Sequence, residues 1–575
     1  MPARPRPVAS ACAIAAALCI SFTACRPAAP SKPAPTQAWF EDVTERAGLQ
    51  FVHQVETSGQ YLFSETMGSG AAWIDFDQDG RLDVFLISNV RPSSSNYNRL
   101  YHQDADGRFK DVSAGSGLES GGFGNGLAAG DVNNDGRPEI LISEYDRLRL
   151  FLNKGGGRFE DVTAVAGLTN AHWSVGVAFT DYDRDGRLDL VVGNYLDYDP
   201  GQRCRDPRGQ PDFCGPQGFR PTLIRLFRNT GTSGRLTPQF EDVTVSSGLS
   251  RTPGKAMQIV CADFNGDRWP DLFATDDALP NRLFVNQRDG TFSEEAIVRG
   301  IAYTGMGAPA ANMGVAIGDV DDDGLFDLFV PHLTEENHTL WRQSTRGYFR
   351  DVTAQAGLLS LPWHGTGFGA VFGDFNCDGA LDLAIVNGRI RRPPEGTPKP
   401  KLMPGIEPFW STYAEPAQLF ANDGRGRFVD VSASNPEFCG EALVGRGLAM
   451  ADFDNDGGID LLFTGIAGPA RVVRNRAPRG HWVGIQAIDP SLGGRDAYGA
   501  EVIVRAGSRQ HWRLVQPGFS YASSNDPRAH IGLGSNVSYD SILVHWPDGS
   551  SETFPGGTAD RYMVLRKGTG QRSVL

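Results

Sequence analysis

One short acidic motif recurs seven times along this 575-residue chain, and it limits the possible folds more than any other feature. Each copy reads D-x-[DN]-x-D-x-x-x-[DE], and successive copies begin 50 to 82 residues apart. We number the copies loops 1 to 7; their first residues are Asp75, Asp131, Asp181, Asp263, Asp319, Asp374 and Asp452. Self-similarity of this kind indicates a repeat architecture in which each copy belongs to one supersecondary unit.

A second motif, F-x-D-V-[ST] or a degenerate form of it, precedes every acidic loop by 22 to 35 residues. Its copies begin at Phe40, Phe109, Phe159, Phe240, Phe292, Phe349 and Phe428. Gly-rich turns stand before five of these copies, and such turns between apolar stretches predict hairpins. Glycine also stands five residues ahead of every loop except loop 4, which has Gln258, and glycine inside a strand marks the close approach of another backbone.

Each repeat therefore reads as a small inner strand, the acidic loop, an apolar strand, and a strand-turn-strand ending on F-x-D-V-[ST]. Four strands per repeat match the blade of a β-propeller, and 70 glycines and 36 prolines suit a turn-rich all-β protein. We predict an all-β fold with a seven-bladed β-propeller over residues 38–475. Because an F-x-D-V-T strand begins at Phe40 and none follows loop 7, that first strand is expected to complete the last blade.

Positions 1, 3, 5 and 9 of the loops offer side-chain oxygens, and position 7 can offer a backbone carbonyl. Hard oxygen ligands on a flexible loop suit Ca²⁺, which takes about six to eight of them, whereas Mg²⁺ prefers a stricter octahedron and Zn²⁺ favours thiolate or imidazole. We predict up to seven Ca²⁺ ions. The predicted ligands are Asp75, Asp77, Asp79 and Asp83; Asp131, Asn133, Asp135 and Glu139; Asp181, Asp183, Asp185 and Asp189; Asp263, Asn265, Asp267 and Asp271; Asp319, Asp321, Asp323 and Asp327; Asp374, Asn376, Asp378 and Asp382; and Asp452, Asp454, Asp456 and Asp460.

A polar turn and an EF-hand are two alternatives to the calcium loop. A single motif of this kind is often only a polar turn, but seven copies in register argue against that reading. EF-hands start similarly but need a carboxylate at position 12, which is apolar in all seven copies, from Leu86 in loop 1 to Phe463 in loop 7. Asn at position 3 removes a charge from loops 2, 4 and 6, so we expect weaker binding there. Loop 4, with Arg268 in place of the usual glycine, is the loop most expected to be empty.

The loops resemble the FG-GAP/VCBS-type repeats of integrin α-subunit propellers. The stretches N-R-A-P-R-G-H-W-V from Asn475, Y-G-A-E-V from Tyr498, G-F-S-Y-A-S-S-N-D-P-R-A-H-I-G-L-G from Gly518 and W-P-D-G from Trp546 resemble the ASPIC/UnbV domain. Together they resemble the cartilage acidic protein-like family. This resemblance implies an extracellular or envelope calcium-binding propeller with integrin-α-like loops and a small β-rich C-terminal domain, over residues 476–575.

The N-terminus and the cysteines indicate export. Residues 1–25 read as a signal segment whose Phe22-Thr23-Ala24-Cys25 end resembles a bacterial lipobox, which predicts lipidation of Cys25 or, alternatively, an ordinary cleaved signal. The Pro-rich residues 26–37 would tether the folded body to the cell envelope, and this anchor is the only membrane association we expect. Cys204 and Cys214 bracket a short insertion and are predicted to form a disulfide. Three further cysteines, Cys261, Cys377 and Cys439, are left open between a Cys377–Cys439 pair and buried free thiols.

Two function classes remain from the sequence. A formal charge of −14 argues against nucleic-acid binding. We expect a scaffold for binding or adhesion to a protein or glycan, because the sequence holds no familiar catalytic motif. The alternative is a polysaccharide-active, lyase-like enzyme or an accessory subunit, with Trp410 and Tyr413 as stacking surfaces. Four polar residues, Asn525, Asp526, Arg528 and His530, are expected to build a turn. Three histidines near loops, His332, His338 and His364, are expected to be surface residues.

Overall fold

The protein is described by a computed structural model over residues 37–91, 97–231, 237–359 and 361–573. Regular structure in these residues is almost entirely β-strand, with one short α-helix at Pro436–Cys439. The 3₁₀ helices are Phe63–Thr66, Pro216–Gly218, Leu249–Arg251, Trp410–Tyr413, Ser432–Ser434 and Pro490–Leu492. No helix in the described part of the chain reaches the length and apolar content that a membrane crossing requires. The predicted signal segment, the lipidation site Cys25 and residues 26–36 of the tether lie outside the described residues.

Seven four-stranded antiparallel sheets follow one another along the described chain, one for each acidic loop, and we number them with their loops. Sheets 1 to 4 consist of Ala71–Ile74, Asp83–Leu86, Arg99–Gln103 and Phe109–Asp111; Gly122–Gly130, Glu139–Glu144, Leu148–Asn153 and Phe159–Asp161; Ser174–Thr180, Asp189–Asn194, Arg225–Asn229 and Phe240–Asp242; and Ala256–Ala262, Asp271–Leu279, Arg282–Asn286 and Phe292–Glu294. Sheets 5 to 7 consist of Ala316–Gly318, Asp327–Val330, Thr339–Thr345 and Tyr348–Asp351; Gly367–Gly373, Asp382–Asn387, Gln418–Asn422 and Phe428–Asp430; and Gly445–Ala451, Asp460–Gly465, Arg471–Asn475 and Phe40–Asp42.

The fourth strand of sheet 7 comes from the beginning of the chain. Phe40 pairs with Asn475 and Asp42 with Val473, in antiparallel register. First strands of neighbouring sheets contact one another from sheet 5 through sheets 6, 7, 1, 2 and 3 to sheet 4, and Ala71–Ile74 of sheet 1 contacts Gly445–Ala451 of sheet 7. This cyclic order is that of a β-propeller, so the predicted fold class is confirmed, and the first strand completes the last sheet as the motif order predicted.

The first strands pack tightly because glycine leaves room for the neighbouring backbone. A Cβ at Gly126 would lie 2.2 Å from the carbonyl oxygen of Val175, and one at Gly447 would lie 2.6 Å from that of Ser69. Val175 belongs to the first strand of sheet 3, and Ser69 lies two residues before the first strand of sheet 1. Glycine at this position is therefore required by the close approach that the sequence predicted.

The C-terminal residues form two further sheets. In one, His481–Asp489 pairs with Arg495–Asp496, with Ala529–Gly534 and, in parallel, with Arg561–Arg566. The other has the strand order Arg509–Leu514, Glu501–Ala506, Ser538–His545, Ser551–Thr558 and Gln571–Arg572. Their apolar faces share a core with sheets 2 and 3, in which Val483 and Val544 pack with Leu141 and Leu190. The C-terminal region is therefore built onto the propeller.

Short accessory strands pair with two of the propeller sheets or with one another. They are Asn89–Val90, paired to sheet 2; Ala310–Ala311, paired to sheet 4; and the pairs Leu196–Asp197 with Arg220–Pro221, Cys204–Arg205 with Pro211–Asp212, and Glu415–Pro416 with Ala442–Leu443. Cys204 and Cys214 form a disulfide with a Cα–Cα distance of 5.1 Å, so the hairpin that we name the disulfide hairpin, residues 204–214, is closed covalently. Of the alternatives left open for the other cysteines, the structure has free thiols: Cys261, Cys377 and Cys439 are unpaired and buried.

The proposed stacking surface of the sequence analysis is wrong. Trp410 and Tyr413 are 0% and 1% exposed. The Trp410 ring stacks on Phe213 at 5.4 Å between centroids, and the Tyr413 hydroxyl donates to Asp212 Oδ1 at 2.9 Å. Both aromatic residues therefore anchor the disulfide hairpin to the insertion that contains the 3₁₀ helix Trp410–Tyr413, and they present no ring to a ligand.

Candidate functional site: the seven acidic loops

Each acidic loop connects the first strand of its sheet to the second, and all seven share one backbone conformation. Position 4 has a positive φ in every loop, at Gln78, Asn134, Arg184, Gly266, Asp322, Cys377 and Asn455, and so has position 6. Position 6 is glycine except in loop 4, where Arg268 has φ 71°. Loop 4 places its permissive glycine, Gly266, at position 4 instead, and so reaches the same fold with a different residue order.

The position 1 aspartate is fixed by the backbone of its own loop. In loop 3, Asp181 accepts from the N–H groups of Asp185 and Gly186 at 3.0 and 2.9 Å. In loop 4, Asp263 accepts from Asp267 and Arg268 at 3.1 and 2.7 Å. The departure at Arg268 thus leaves the arrangement of position 1 unchanged, which removes the structural reason for expecting loop 4 to be the empty one.

The position 9 acids are buried and serve two backbone groups each. Asp189 is 0% exposed; its Oδ2 accepts from Tyr182 N at 3.2 Å and its Oδ1 from Asn229 N at 2.7 Å. The corresponding acid of every other loop, Glu139 included, accepts the same two N–H groups. This acid ties the loop to the second and third strands whether or not an ion is bound.

Burial makes these carboxyl groups weak acids without a bound cation. Desolvation raises the pKa of Asp83 and of Asp271, both at position 9, to about 8. At position 1 it raises the pKa of Asp319 and Asp452 to about 7. A buried carboxylate is costly without a compensating partner, so each loop favours a proton or a cation.

Side-chain oxygens converge in the loops that carry aspartate at position 3. Ligand oxygens lie within 4.8 Å of one another in groups of three: Asp75, Asp77 and Asp79 in loop 1; Asp181, Asp183 and Asp189 in loop 3; Asp319, Asp321 and Asp327 in loop 5; and Asp452, Asp454 and Asp460 in loop 7. Loops 2, 4 and 6 have the amide oxygens of Asn133, Asn265 and Asn376 at position 3. All these donors are hard oxygens, so the residues present fit Ca²⁺.

A buried amide that was not predicted from the sequence joins neighbouring sheets. Asn229, at the end of the third strand of sheet 3, donates through Nδ2 to Val132 O of loop 2 at 2.8 Å and to Leu188 O at 3.1 Å. The equivalent residues of sheets 1, 2, 4, 6 and 7 make the same bond to the preceding loop: Gln103, Asn153, Asn286, Asn422 and Asn475. The bond from Gln103 reaches Phe453 of loop 7 and so closes the ring. In the sequence, this buried amide is marked by the Asn that opens the Gly-rich turn.

Position 4 of the loops, which the sequence analysis left without a role, contacts the C-terminal region. Arg495 Nε donates to Asn134 Oδ1 at 2.8 Å and Arg509 Nε to Asp322 Oδ2 at 2.9 Å. Gly534 N donates to Cys377 O at 2.9 Å, while Arg528 Nη1 donates to Asn455 Oδ1 at 2.6 Å. The C-terminal region therefore covers loops 2, 5, 6 and 7.

One C-terminal segment, residues 517–526, enters the propeller, and we call it the central segment. Ser520 exchanges both backbone hydrogen bonds with Val315, beside the first strand of sheet 5. Ser524 binds the first strand of sheet 1, donating to Ala71 O at 3.0 Å, and Asn525 Oδ1 accepts from Met450 N of sheet 7 at 2.9 Å. Tyr521 is 0% exposed in a core shared by first strands of several sheets. The polar run from Asn525 to His530 thus joins the two parts of the protein, a larger role than the predicted turn.

The expectation of surface histidines is wrong for two of the three. His332 is 0% and His338 is 4% exposed. His332 Nε2 lies 3.0 Å from Thr339 Oγ1, and His338 Nδ1 accepts from His332 N at 2.9 Å. Burial lowers the pKa of His332 to about 4, so it is neutral near pH 7.

Comparison with known proteins identifies both parts of the chain. The FG-GAP-like repeat family matches residues 75–142, 133–192 and 263–330, and the ASPIC and UnbV family matches residues 491–572. Cartilage acidic protein 1 of Xenopus tropicalis is 26% identical over 336 residues, and that of Homo sapiens is 27% identical over 338 residues. These alignments cover 57% of this chain and 47% and 46% of the two relatives, so the chain spans about half of their length.

Solved structures show weaker likeness. An Agrocybe aegerita lectin studied for recognition of non-reducing terminal N-acetylglucosamine aligns with a TM-score of 0.37 at 14% identity, over 65% of this chain and 84% of its own. PorZ, a surface component of the type-IX secretion system of Porphyromonas gingivalis, aligns with a TM-score of 0.40 at 11% identity, over 87% of this chain and 60% of its own.

Proposed function

We propose that this chain, with its FG-GAP-like repeats and its ASPIC and UnbV region, is an exported calcium-binding scaffold for a protein or glycan partner. The observation that carries the proposal is the shared geometry of the loops: a position 1 carboxylate fixed by two N–H groups, and oxygen donors at positions 3, 5 and 9 beside it. A bound Ca²⁺ would neutralise carboxylates that are otherwise desolvated and mutually repulsive.

Calcium in this scaffold is a structural ion. The position 9 acid links each loop to two strands, and the C-terminal region rests on position 4 of loops 2, 5, 6 and 7. An ion that fixes a loop therefore also fixes the contact between sheets and the seat of the C-terminal region.

Recognition is assigned to surfaces that the C-terminal region leaves uncovered. The disulfide hairpin and residues 389–395 wall a cavity of about 860 Å³. Charged side chains stand in its lining, among them Arg205, Arg208, Arg391 and Asp212. The aromatic residues of the neighbouring insertion are buried, so nothing now favours the sugar-stacking enzyme over the binding scaffold. Export and lipid anchoring at Cys25 remain proposals that rest on the N-terminal sequence.

Thermal unfolding with and without calcium tests the proposal. An ion that binds only the folded chain stabilises it by about 2.7 kcal/mol per site at a hundredfold excess over its Kd. We therefore expect chelation to lower Tm strongly, calcium but not equimolar magnesium to restore it, and native mass spectrometry to count up to seven added ions. Capture on glycan and protein arrays should likewise require calcium. An unchanged melt and no bound calcium would refute the scaffold's dependence on the ion.

A further inference from the structure

The seven loops divide into two classes by the residue that faces position 3. This facing residue immediately precedes the buried Asn or Gln at the end of the third strand of each sheet. It is basic in sheets 1, 3, 5 and 7, and uncharged in sheets 2, 4 and 6: His102, Arg228, Arg342 and Arg474 against Leu152, Val285 and Ala421. Position 3 is aspartate in the first group and asparagine in the second, without exception.

In the first class the basic side chain pairs directly with position 3. Arg228 Nε lies 2.6 Å from Asp183 Oδ2, and Arg474 Nε lies 2.5 Å from Asp454 Oδ2. Arg342 pairs in the same way with the position 3 aspartate of loop 5. In loop 1 the facing residue is His102, whose Nδ1 is 3.5 Å from Asp77 Oδ2.

In the second class, an asparagine amide stands at position 3 in place of the aspartate, and the facing residue carries no charge. The Nδ2 groups of the three position 3 asparagines donate to the position 5 aspartates of their own loops. The distances are 3.1 Å for Asn133 and 3.2 Å for Asn265 and Asn376. An uncharged facing residue then leaves no cation without a partner.

The division is specific to position 3. Arginines at position 7 pair with position 5 in loops 1, 2 and 3: Arg81, Arg137 and Arg187. These loops belong to both classes, so arginine in general does not follow the alternation. Only the facing residue changes together with position 3, and where it is arginine the pair has no net charge.

We propose that position 3 and its facing residue form a charge-matched unit that equalises the calcium affinities of the two classes of loop. The inference rests on the calcium binding proposed above. A guanidinium a few ångströms from the ion repels it about as strongly as one added carboxylate attracts it, so Asp with Arg and Asn with a neutral residue give the ion similar surroundings. The unit also offsets carboxylate repulsion before calcium binds. With such units, the loops that carry asparagine at position 3 are expected to bind calcium about as tightly as the other loops, and not more weakly.

Three sets of variants, in the loops where the facing residue is arginine, test the charge-matched unit. One set is R228Q/R342Q/R474Q, the second is D183N/D321N/D454N, and the third combines all six changes. Calcium affinity is measured by competition with a chromophoric chelator, and occupancy by native mass spectrometry. The metal-free melting temperature reports folding.

We expect the arginine set to bind calcium about tenfold more tightly at three sites and to melt lower without metal, since an uncompensated charge remains. The aspartate set should bind at least about tenfold more weakly at three sites. The six-fold variant should return to within about threefold of the wild type, because removing a guanidinium and removing a carboxylate change the charge near the ion by equal and opposite amounts.

Three arginines on the third strands of sheets 2, 3 and 7 provide the matched control. Arg149, Arg225 and Arg471 pair with the fourth-strand residues Asp161, Asp242 and Asp42, away from position 3. The set R149Q/R225Q/R471Q should leave calcium affinity unchanged. A six-fold variant that departs from the wild-type calcium affinity by about tenfold or more, or an arginine set that behaves as this control does, would overturn the inference while calcium binding itself stood. A wild-type chain that binds no calcium would instead remove the proposed function.

Discussion

Single buried amides hold neighbouring sheets of this propeller together. Asn229 satisfies carbonyl groups from two sheets, while its own N–H serves the acid at position 9 of its loop. A buried carbonyl that loses its donor keeps the full cost of desolvation, which exceeds the net gain from a typical hydrogen bond. The Asn that the sequence presents as a turn residue is therefore a structural residue of the ring.

Replacement of this amide should destabilise the fold. We expect Asn229→Ala to lower the free energy of unfolding by about 1–3 kcal/mol, because the carbonyls of Val132 and Leu188 lose their donor. Urea denaturation of the calcium-loaded protein measures the change. Asn337→Ala, at an exposed position, is the control and should stay within about 0.5 kcal/mol of the wild type. Equal effects of the two changes would contradict the role of the Asn229 amide in joining two sheets.

At the level of the strand, glycine decides how closely two sheets approach. The first strands carry glycine five residues before the loop in six sheets, and loop 4 alone is preceded by Gln258. Gln258 is 2% exposed, and its N–H donates to Thr275 Oγ1 at 3.1 Å, as the N–H of Gly126 donates to Ser143 Oγ at 3.0 Å in sheet 2. Sheet 4 thus accommodates a side chain that the other sheets exclude.

A methyl group at Gly126 tests this packing. Because its Cβ would lie 2.2 Å from Val175 O, Gly126→Ala must push two first strands apart. Overpacking of this kind costs about 1–3 kcal/mol, which we expect as a lower Tm at unchanged calcium stoichiometry. Gly468→Ala is the matched control, since its Cβ would meet nothing nearer than 3.6 Å. A Gly126 variant as stable as the control would show that the first strands are not in close contact.

At the scale of the whole molecule, loops, sheets and C-terminal region form one mechanical unit. The central segment hydrogen-bonds to first strands of sheets 1 and 7 and beside that of sheet 5. The arginines of the C-terminal sheets, meanwhile, reach position 4 of the loops. Order in the loops is thereby transmitted to the C-terminal region, so we expect the proposed calcium ions to affect the stability of the entire described chain.

The metal-free protein should lose stability as pH rises. Burial raises the folded-state pKa of Asp83 and Asp271 to about 8 and of Asp374 to about 7, above the value of roughly 3.9 for an unfolded aspartate. The folded chain therefore binds extra protons, and this contribution is present at low pH and is lost as pH rises through 7 to 8.

The measurement compares Tm at about pH 7.5 and about pH 8.5 with and without calcium, a window in which an ordinary histidine, with a pKa of about 6.5, is already largely neutral. Without calcium we expect Tm to fall across this window. With saturating calcium it should stay level or rise, because the ion needs deprotonated ligands. A metal-free melt that does not change with pH would show that the loop acids are not desolvated as described.

Local sequence determined much of this protein. The spacing of the acidic motifs fixed the number of loops, and the F-x-D-V-[ST] strand at Phe40 predicted the closing strand of sheet 7. The glycine ahead of the loop predicted close strands. These features repeat because every sheet is built from the same turn, strand and hairpin. Each of these elements needs the same residue types at the same positions, so the residues recur periodically.

Tertiary structure decided the contacts between residues that are distant in sequence, which a repeating sequence pattern does not predict. Trp410 is buried because the disulfide hairpin, almost 200 residues earlier in the chain, brings Phe213 against it. Asn134 and Asp322 became docking points because Arg495 and Arg509 return to the loops from the C-terminal region. The pairing of Arg228 with Asp183 depends on the register of two strands. Such contacts join residues distant in sequence, and only the folded chain shows which charges neutralise one another.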